Sequence, residues 1–283
     1  MTGRPATPHP IPYQGSKRRL ADAILAHAPA RVHRFIEPFA GSAALSLAAA
    51  ARDVAATYCI ADRLDALARL WRAIIDRPAP TADAYERLWQ AQHRDARAHY
   101  GAVRARFNRT GDPVALLYLL ARCVKNAVRF NAGGEFNQAA DHRRAGMRPD
   151  RMRREIARAS QLLRRRAEVA AADYADLLAD AGPRDLVYLD PPYQGVSRTR
   201  DPRYVAPLDL DRFVAELDRL NRRRVPFLVS FDGSSGDRTY GPPLPAALRL
   251  RRVLLPAGRS SQATLAGRVA HTVESLYVSP ALR

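Results

Sequence analysis

Arg34-Phe-Ile-Glu-Pro-Phe-Ala-Gly-Ser42 is an apolar run that closes on an acid and turns through a proline and a glycine, and the alanine-rich stretch Ala43 to Ala51 follows it. The aromatic and β-branched residues favour a buried strand, the proline and glycine a tight loop, and the alanines a helix. Thr57 to Ala61 repeats the strand pattern, and Leu64 to Ile75 sets apolar residues at helical spacing. Two strand–helix units in succession predict a parallel sheet with helices packed on it. The loop is of nucleotide-binding type but carries one glycine, where a dinucleotide pyrophosphate requires three for close backbone approach. Glu37, Phe39 and Gly41 therefore suit a cofactor with an adenosine and no phosphates, such as S-adenosyl-L-methionine. Asp62 ends the second strand 21 residues after Gly41, the spacing at which an acid reaches ribose hydroxyls. It equally suits the N-cap of the next helix.

Upstream, residues 1–12 are proline-rich and extended, and Tyr13-Gln-Gly-Ser-Lys17 precedes a helix expected over Lys17 to Ala28. Tyr13, Lys17 and backbone N–H groups at a helix start suit a carboxylate such as a methionine tail. Downstream, Pro78-Ala-Pro80 breaks the rhythm, and residues 81–164 read as helical and arginine-rich, interrupted at Gly133-Gly134. The last of these helices sets Met152, Ile156, Ala159, Leu162, Leu163 and Ala167 on one face and surrounds them with arginines, either as a DNA contact or as a solvated face. The strand–helix rhythm then returns, with strands at Val169 to Ala172, Leu186 to Leu189 and Phe227 to Phe231, and a helix at Leu208 to Arg222. A final antiparallel pair, Arg251 to Leu255 and Thr272 to Val278, flanks the basic loop Gly258 to Arg268. A discontinuous α/β domain (1–80 and 165–283) is expected, with 81–164 inserted as a helical subdomain.

Asp185-Leu-Val-Tyr-Leu-Asp-Pro-Pro-Tyr193 carries the chemistry. A buried strand delivers Asp190 to the sheet edge, where its carboxylate can accept a hydrogen bond from the exocyclic amine of a base. Pro191 and Pro192 fix the direction of the backbone carbonyls. The Tyr193 ring can stack on the base, worth roughly 1–3 kcal/mol. Asp173-Tyr174, after a strand, can touch a cofactor adenine.

Lys+Arg total 46 against 28 Asp+Glu, a net charge of +18, which points to a polyanionic partner. Only Lys17 and Lys125 are lysines. Cys59 and Cys123 are isolated, and the seven histidines show no zinc spacing, so neither a disulfide framework nor a metal site is expected. No apolar run reaches membrane-spanning length and no signal-peptide core opens the chain, so a cytoplasmic protein is expected.

Taken in order, these segments resemble the Dam-type, or D12-class, DNA adenine-N6 methyltransferases. Tyr13 to Lys17 is similar to that family's N-terminal cofactor motif, Glu37 to Ser42 to its first strand-loop motif, and Asp62 to its ribose-binding acid. Lys125-Asn-Ala-Val-Arg-Phe-Asn-Ala-Gly-Gly-Glu-Phe-Asn137 is similar to the segment preceding its target-recognition region. Asp190 to Tyr193 is similar to the catalytic tetrapeptide, Ser230-Phe-Asp-Gly233 to a later strand motif, and Gly258 to Gly267 to the C-terminal hairpin loop. The resemblance implies a Rossmann-like methyltransferase sheet with an antiparallel C-terminal hairpin and an inserted helical DNA-recognition subdomain. It also implies an S-adenosyl-L-methionine cofactor, double-stranded DNA as partner, no metal and a monomer, with any cognate restriction endonuclease acting separately. Lys125, Asn126, Arg129 and Asn131 become the candidate DNA contacts. Many relatives carry tryptophan at the position of Tyr13. The Lys125 to Asn137 segment also lacks the Asn-Gly-Leu pattern of the GATC-reading enzymes, so GATC is not inherited as the recognition sequence. The alternatives are a cytosine-N4 or RNA amino-methyltransferase of the same fold, or a non-catalytic DNA-binding relative.

Overall fold

The computed structural model describes residues 6–192, 208–235, 238–259 and 271–283. The first strand is β1 (Val32–Glu37), followed by β2 (Ala55–Asp62), β3 (Ala167–Ala171), β4 (Asp185–Leu189), β5 (Phe227–Ser235), β6 (Arg238–Tyr240), β7 (Arg251–Arg259) and β8 (His271–Val278). They form one sheet in the order β3-β2-β1-β4-β5-β8-β7, with β6 paired to β5. The first five strands run parallel, whereas β8 is antiparallel to β5 and β7 antiparallel to β8. From β1 the chain moves outward to β2 and β3, then returns to the far side of β1 as β4. Such a reversal of strand order opens a crevice beyond the carboxyl ends of the two strands. Glu37 is the last residue of β1, and Asp190 follows the last residue of β4.

Nine α-helices complete the described chain: α1 (Ala21–Leu25), α2 (Ala44–Ala50), α3 (Asp65–Asp76), α4 (Pro78–Ala91), α5 (Ala96–Thr110), α6 (Pro113–Arg122), α7 (Pro149–Leu163), α8 (Tyr174–Ala179) and α9 (Leu210–Arg222). Successive strand residues point to opposite sheet faces. Phe35, Tyr58, Leu186 and Tyr188 pack with α1, α2, α3 and the helices from α4 to α7. Ile36, Cys59, Val187 and Leu189 face α8 and α9, where Leu178, Phe213 and Leu217 meet them. β4 is buried along its whole length, which is why it reads as an unbroken apolar run.

Two local expectations are corrected. Lys17 to Ala28 is not one helix: a 3-10 turn, Lys17–Arg19, precedes α1, which stops at Leu25. Ala28 stands before Pro29, whose ring disfavours helical geometry in the residue preceding it. The last arginine-rich helix, α7, ends at Leu163, so Ala167 lies not on its face but at the start of β3. Pro78-Ala-Pro80 opens α4, where the strand–helix rhythm gives way to helices, since the first helical turn has no use for the missing N–H. The third strand is Ala167–Ala171, set slightly earlier than expected, and β6 had no counterpart in the sequence reading.

Candidate active site

A cavity of about 360 Å³ opens beyond β1 and β4. Its wall includes all eight expected cofactor residues, Tyr13, Lys17, Glu37, Phe39, Gly41, Asp62, Asp173 and Asp190, together with Pro191 and Pro192. Tyr193 and most of the Gly258 to Arg268 loop lie outside the described residues.

The loop between β1 and α2 is fixed from several directions. Gly41 has φ +49, and a Cβ there would sit 3.1 Å from the Tyr13 ring, so both conformation and space require glycine. Its carbonyl accepts from Trp71 Nε1 at 3.0 Å. Its N–H donates to Asp62 Oδ2 at 3.1 Å, and the other carboxylate oxygen accepts from Leu64 N at 3.0 Å. Asp62 thus braces the loop and the turn that leads into α3, and it lines the cavity. Ser42 Oγ donates to Ser16 Oγ at 2.8 Å and joins this loop to the Tyr13–Lys17 segment.

Glu37 is buried and accepts from Ser46 N at 2.8 Å and from the Ser46 hydroxyl. Burial pushes its carboxyl up to about 7, against the Ser46 bonds and with a small further push from Asp190. A folded value above the ordinary one means that the stability Glu37 contributes is fully present below about pH 4.5 and is lost as pH rises through about 7. A Glu37→Gln variant keeps an acceptor for Ser46 and cannot ionise. Its melting temperature is expected to fall less than the parent's between pH 5 and 8, a difference of order 3 kcal/mol measurable by calorimetry.

Asp190 faces Lys17 Nζ, 2.9 Å from its Oδ1. Burial pushes the Asp190 carboxyl up to about 6, Lys17 opposes that shift, and Glu274 adds to it. Lys17 is buried, and its ammonium also lies 3.4 Å from Glu274 Oε2 and donates to the Gly15 carbonyl at 3.2 Å. Two carboxylates of the protein thus hold Lys17 at the cavity wall. The sequence reading missed Glu274, because a lone acid on a late strand carries no local signal.

On the other side of the cavity Phe39 stacks on Tyr174, with centroids 5.1 Å apart, and meets Phe213 edge-on at 6.3 Å. It is both wall and core. Asp173 caps α8 through Ala175 N and pairs with Arg212 Nη2 at 2.9 Å. The Arg212 guanidinium lies over the Tyr174 ring. The Tyr174 hydroxyl is buried and has no hydrogen-bond partner among the described residues.

Lys125, Asn126, Arg129 and Asn131 do not line the cavity, although their neighbours Val128 and Phe130 do. Asn126 donates to the Leu120 carbonyl at 2.7 Å, and Asn131 bonds both the backbone and the side chain of Glu135. A bridge between Phe130 and Phe136 closes this turn. Helical side chains anchor the whole segment by its backbone: Tyr85 to Met147 O, Tyr100 to Gln138 O, Arg122 to Asp141 O and Asn108 to Phe136. On α7, by contrast, Arg153 pairs with Asp83 and Glu86, and Arg154 with Asp150. That helix has the ion pairs of a solvated face. Among the described residues no group of three or more His, Cys, Asp or Glu could hold a metal, and no helix is long and apolar enough to cross a membrane.

An open α/β sheet whose switch-point crevice is walled by carboxylates and aromatic rings is the framework of an enzyme for nucleotide-like ligands. Residues 13–223 match the family described as D12 class N6 adenine-specific DNA methyltransferase, and the chain belongs to that family. The protein is accordingly an adenine-specific DNA methyltransferase. It is 27% identical over 231 residues to a DNA adenine methylase of Escherichia coli (strain K12), covering 78% of this chain and 79% of that relative. It is 28% identical over 191 residues to the Retron Ec67 DNA adenine methylase of Escherichia coli, covering 65% and 63% of the two chains. A DNA adenine methylase of Serratia marcescens is 28% identical over 193 residues, covering 67% and 68%.

Proposed function

We propose that the protein uses S-adenosyl-L-methionine to methylate N6 of an adenine flipped out of double-stranded DNA, with Asp190 and Pro191 accepting the amine hydrogens. The observation that carries this reading is the convergence of Glu37, Asp62 and Asp190 with the Phe39–Tyr174 ring pair on one cavity at the switch point. The wall fits the cofactor: it offers acids to a cation and to ribose hydroxyls, apolar rings to a base, and a buried Tyr174 hydroxyl with no hydrogen-bond partner among the described residues. Its single Gly41 provides no cradle for a pyrophosphate.

Asp62 is the ribose acceptor, Glu37 and Tyr13 flank the methionine part, and Asp173 with Phe39 borders the adenine. When bound, S-adenosyl-L-methionine supplies an electrophilic methyl group on a positive sulfonium. Asp190, ionised above about pH 6, accepts one hydrogen of the target amine, and the Pro191 carbonyl accepts the other. These bonds raise density on the nitrogen and stabilise the positive charge that develops there. Pro191 and Pro192 hold the turn rigid, and Tyr193 stacks on the base. An adenine within a duplex is out of reach of this crevice, so it must be extruded, at a cost of about a few kcal/mol of unstacking.

The net charge of +18 supports phosphate binding with steep salt dependence. The helices from Pro78 to Leu163 form the recognition subdomain. Within it Asn126 and Asn131 shape the segment, and Lys125 and Arg129 contact bases or phosphates. The enzyme acts as a monomer in the cytoplasm, and a cognate restriction endonuclease, where one exists, acts separately. Plasmid from cells expressing the gene, read by methylation-sensitive long-read sequencing, is expected to carry N6-methyladenine in one fixed sequence context. Methylated cytosine, or no modified base, would overturn the reading.

A further inference from the structure

We infer that Glu274 is a positioning residue of the reaction: it holds the Lys17 ammonium between itself and Asp190 and so keeps the Asp190 carboxylate available to the target amine. This inference rests on Asp190 being the amine acceptor.

The geometry begins in β5. Between Ser230 and Gly233 that strand advances three residues while β8 advances two, from Leu276 to Glu274. The extra residue makes a β-bulge, a device that re-aims side chains beside active sites. Asp232 takes φ 53 at the bulge, and its carboxylate is held there by the Tyr277 hydroxyl at 2.6 Å and by Arg252 Nη2 at 3.1 Å. The next residue, Gly233, lies opposite Glu274. A Cβ on Gly233 would stand 2.7 Å from the Val273 carbonyl oxygen and 3.4 Å from Glu274 Cα. Glycine therefore lets β8 close on β5, and from that position Glu274 Oε2 reaches Lys17 Nζ at 3.4 Å. The Ser230-Phe-Asp-Gly233 motif thereby acquires a purpose in the chemistry.

Lys17 and Asp190 alone would form a tight buried pair at 2.9 Å. Such a pair draws the electron density of the carboxylate toward the ammonium and weakens it as an acceptor for a third group. With Glu274 present, one cation is shared by two carboxylates. The groups facing Asp190 are then Lys17 from the N-terminal turn, Glu274 from β8 and Glu37 from β1. Burial opposes the ionised form of Asp190, Lys17 favours it and Glu274 opposes it, while Asp190 in turn raises the Glu37 carboxyl.

The test is the pH profile of turnover for Glu274→Gln. Turnover at neutral pH is expected to fall roughly tenfold. Loss of the like charge stabilises ionised Asp190, so the acidic limb should move down by about half a unit or more. The Michaelis constants for cofactor and DNA should stay within about twofold, because only the reacting group is affected. Glu274→Asp should restore part of the turnover, and Gly233→Ala should reproduce the loss by pushing β8 away. Unchanged turnover with an unmoved limb overturns the inference. So does a fall in turnover with the limb unmoved, which is what a merely structural role would give. If Asp190→Ala remains active, the underlying reading fails instead. If Asp190→Ala is inactive while Glu274→Gln behaves as the parent, only the role of Glu274 fails.

Discussion

Asp190→Ala is expected to lower turnover by at least about a thousandfold, the scale on which loss of a pre-aligned charge-stabilising group is felt. Asp190 is the only carboxylate that directly follows β4, and its lone pairs open on the cavity from the carboxyl end of that strand. Under the proposed mechanism, alanine removes both the acceptor that aims the amine and the charge that offsets the cation developing on it. The fold should survive, because Lys17 retains Glu274 and no buried cation is left unpaired. DNA affinity comes from cations elsewhere, so the dissociation constant measured by fluorescence anisotropy should change by less than about threefold. Single-turnover transfer of a labelled methyl group separates chemistry from binding. Transfer at more than about a tenth of the parent rate would remove Asp190 from the reaction.

Asp62→Asn is expected to weaken cofactor binding by about 30- to 150-fold, the equivalent of roughly 2–3 kcal/mol. Both oxygens of Asp62 receive backbone N–H groups, from Gly41 and from Leu64. An asparagine has one oxygen, so its NH2 must point at one of those two donors. Either the β1–α2 loop or the start of α3 loses its acceptor, and the cavity wall loses the carboxylate proposed to accept from the ribose. Titration calorimetry with S-adenosyl-L-methionine reads the loss directly. An affinity within about threefold of the parent would show that Asp62 only braces the loop.

Much of this was written in local sequence. β1, β4 and β5 are apolar runs ending at turn residues, and α2, α3 and α9 repeat at helical spacing, so each was legible in its own residues. Glu37, Phe39, Gly41, Asp62, Asp173 and Asp190 lie at strand ends or in the loops after them, which is where an open α/β sheet binds its ligand, and Tyr13 and Lys17 reach the same cavity from the N-terminal segment. Where the reading strayed, the deciding partner was distant or the local rule had a positional exception. Ala167 looked like part of the last helix because its spacing continues the apolar face of α7, whereas pairing with Tyr58 places it in β3. The bonds of Asn126 to the Leu120 carbonyl and of Asn131 to Glu135 were not legible, because a side chain's donors reveal nothing about which backbone groups accept them. Sequence left the α7 arginines open between DNA contact and a solvated face, and the pairing of Arg153 with Asp83 and Glu86 from α4 carries no local signal.

The order of residues alone determined that this chain builds a parallel α/β sheet, delivers an aspartate to its edge beside two prolines, and carries enough positive charge to meet a polyanion. Pattern and composition suffice for those properties, since burial of alternate or periodic apolar residues fixes strands and helices whatever lies far away. Only the tertiary structure decided that Lys17 belongs to Asp190 and Glu274. A buried ammonium pairs with whichever carboxylates surround it, and that neighbourhood is set by strand order and by one bulge in β5, neither of which is a local property of the sequence.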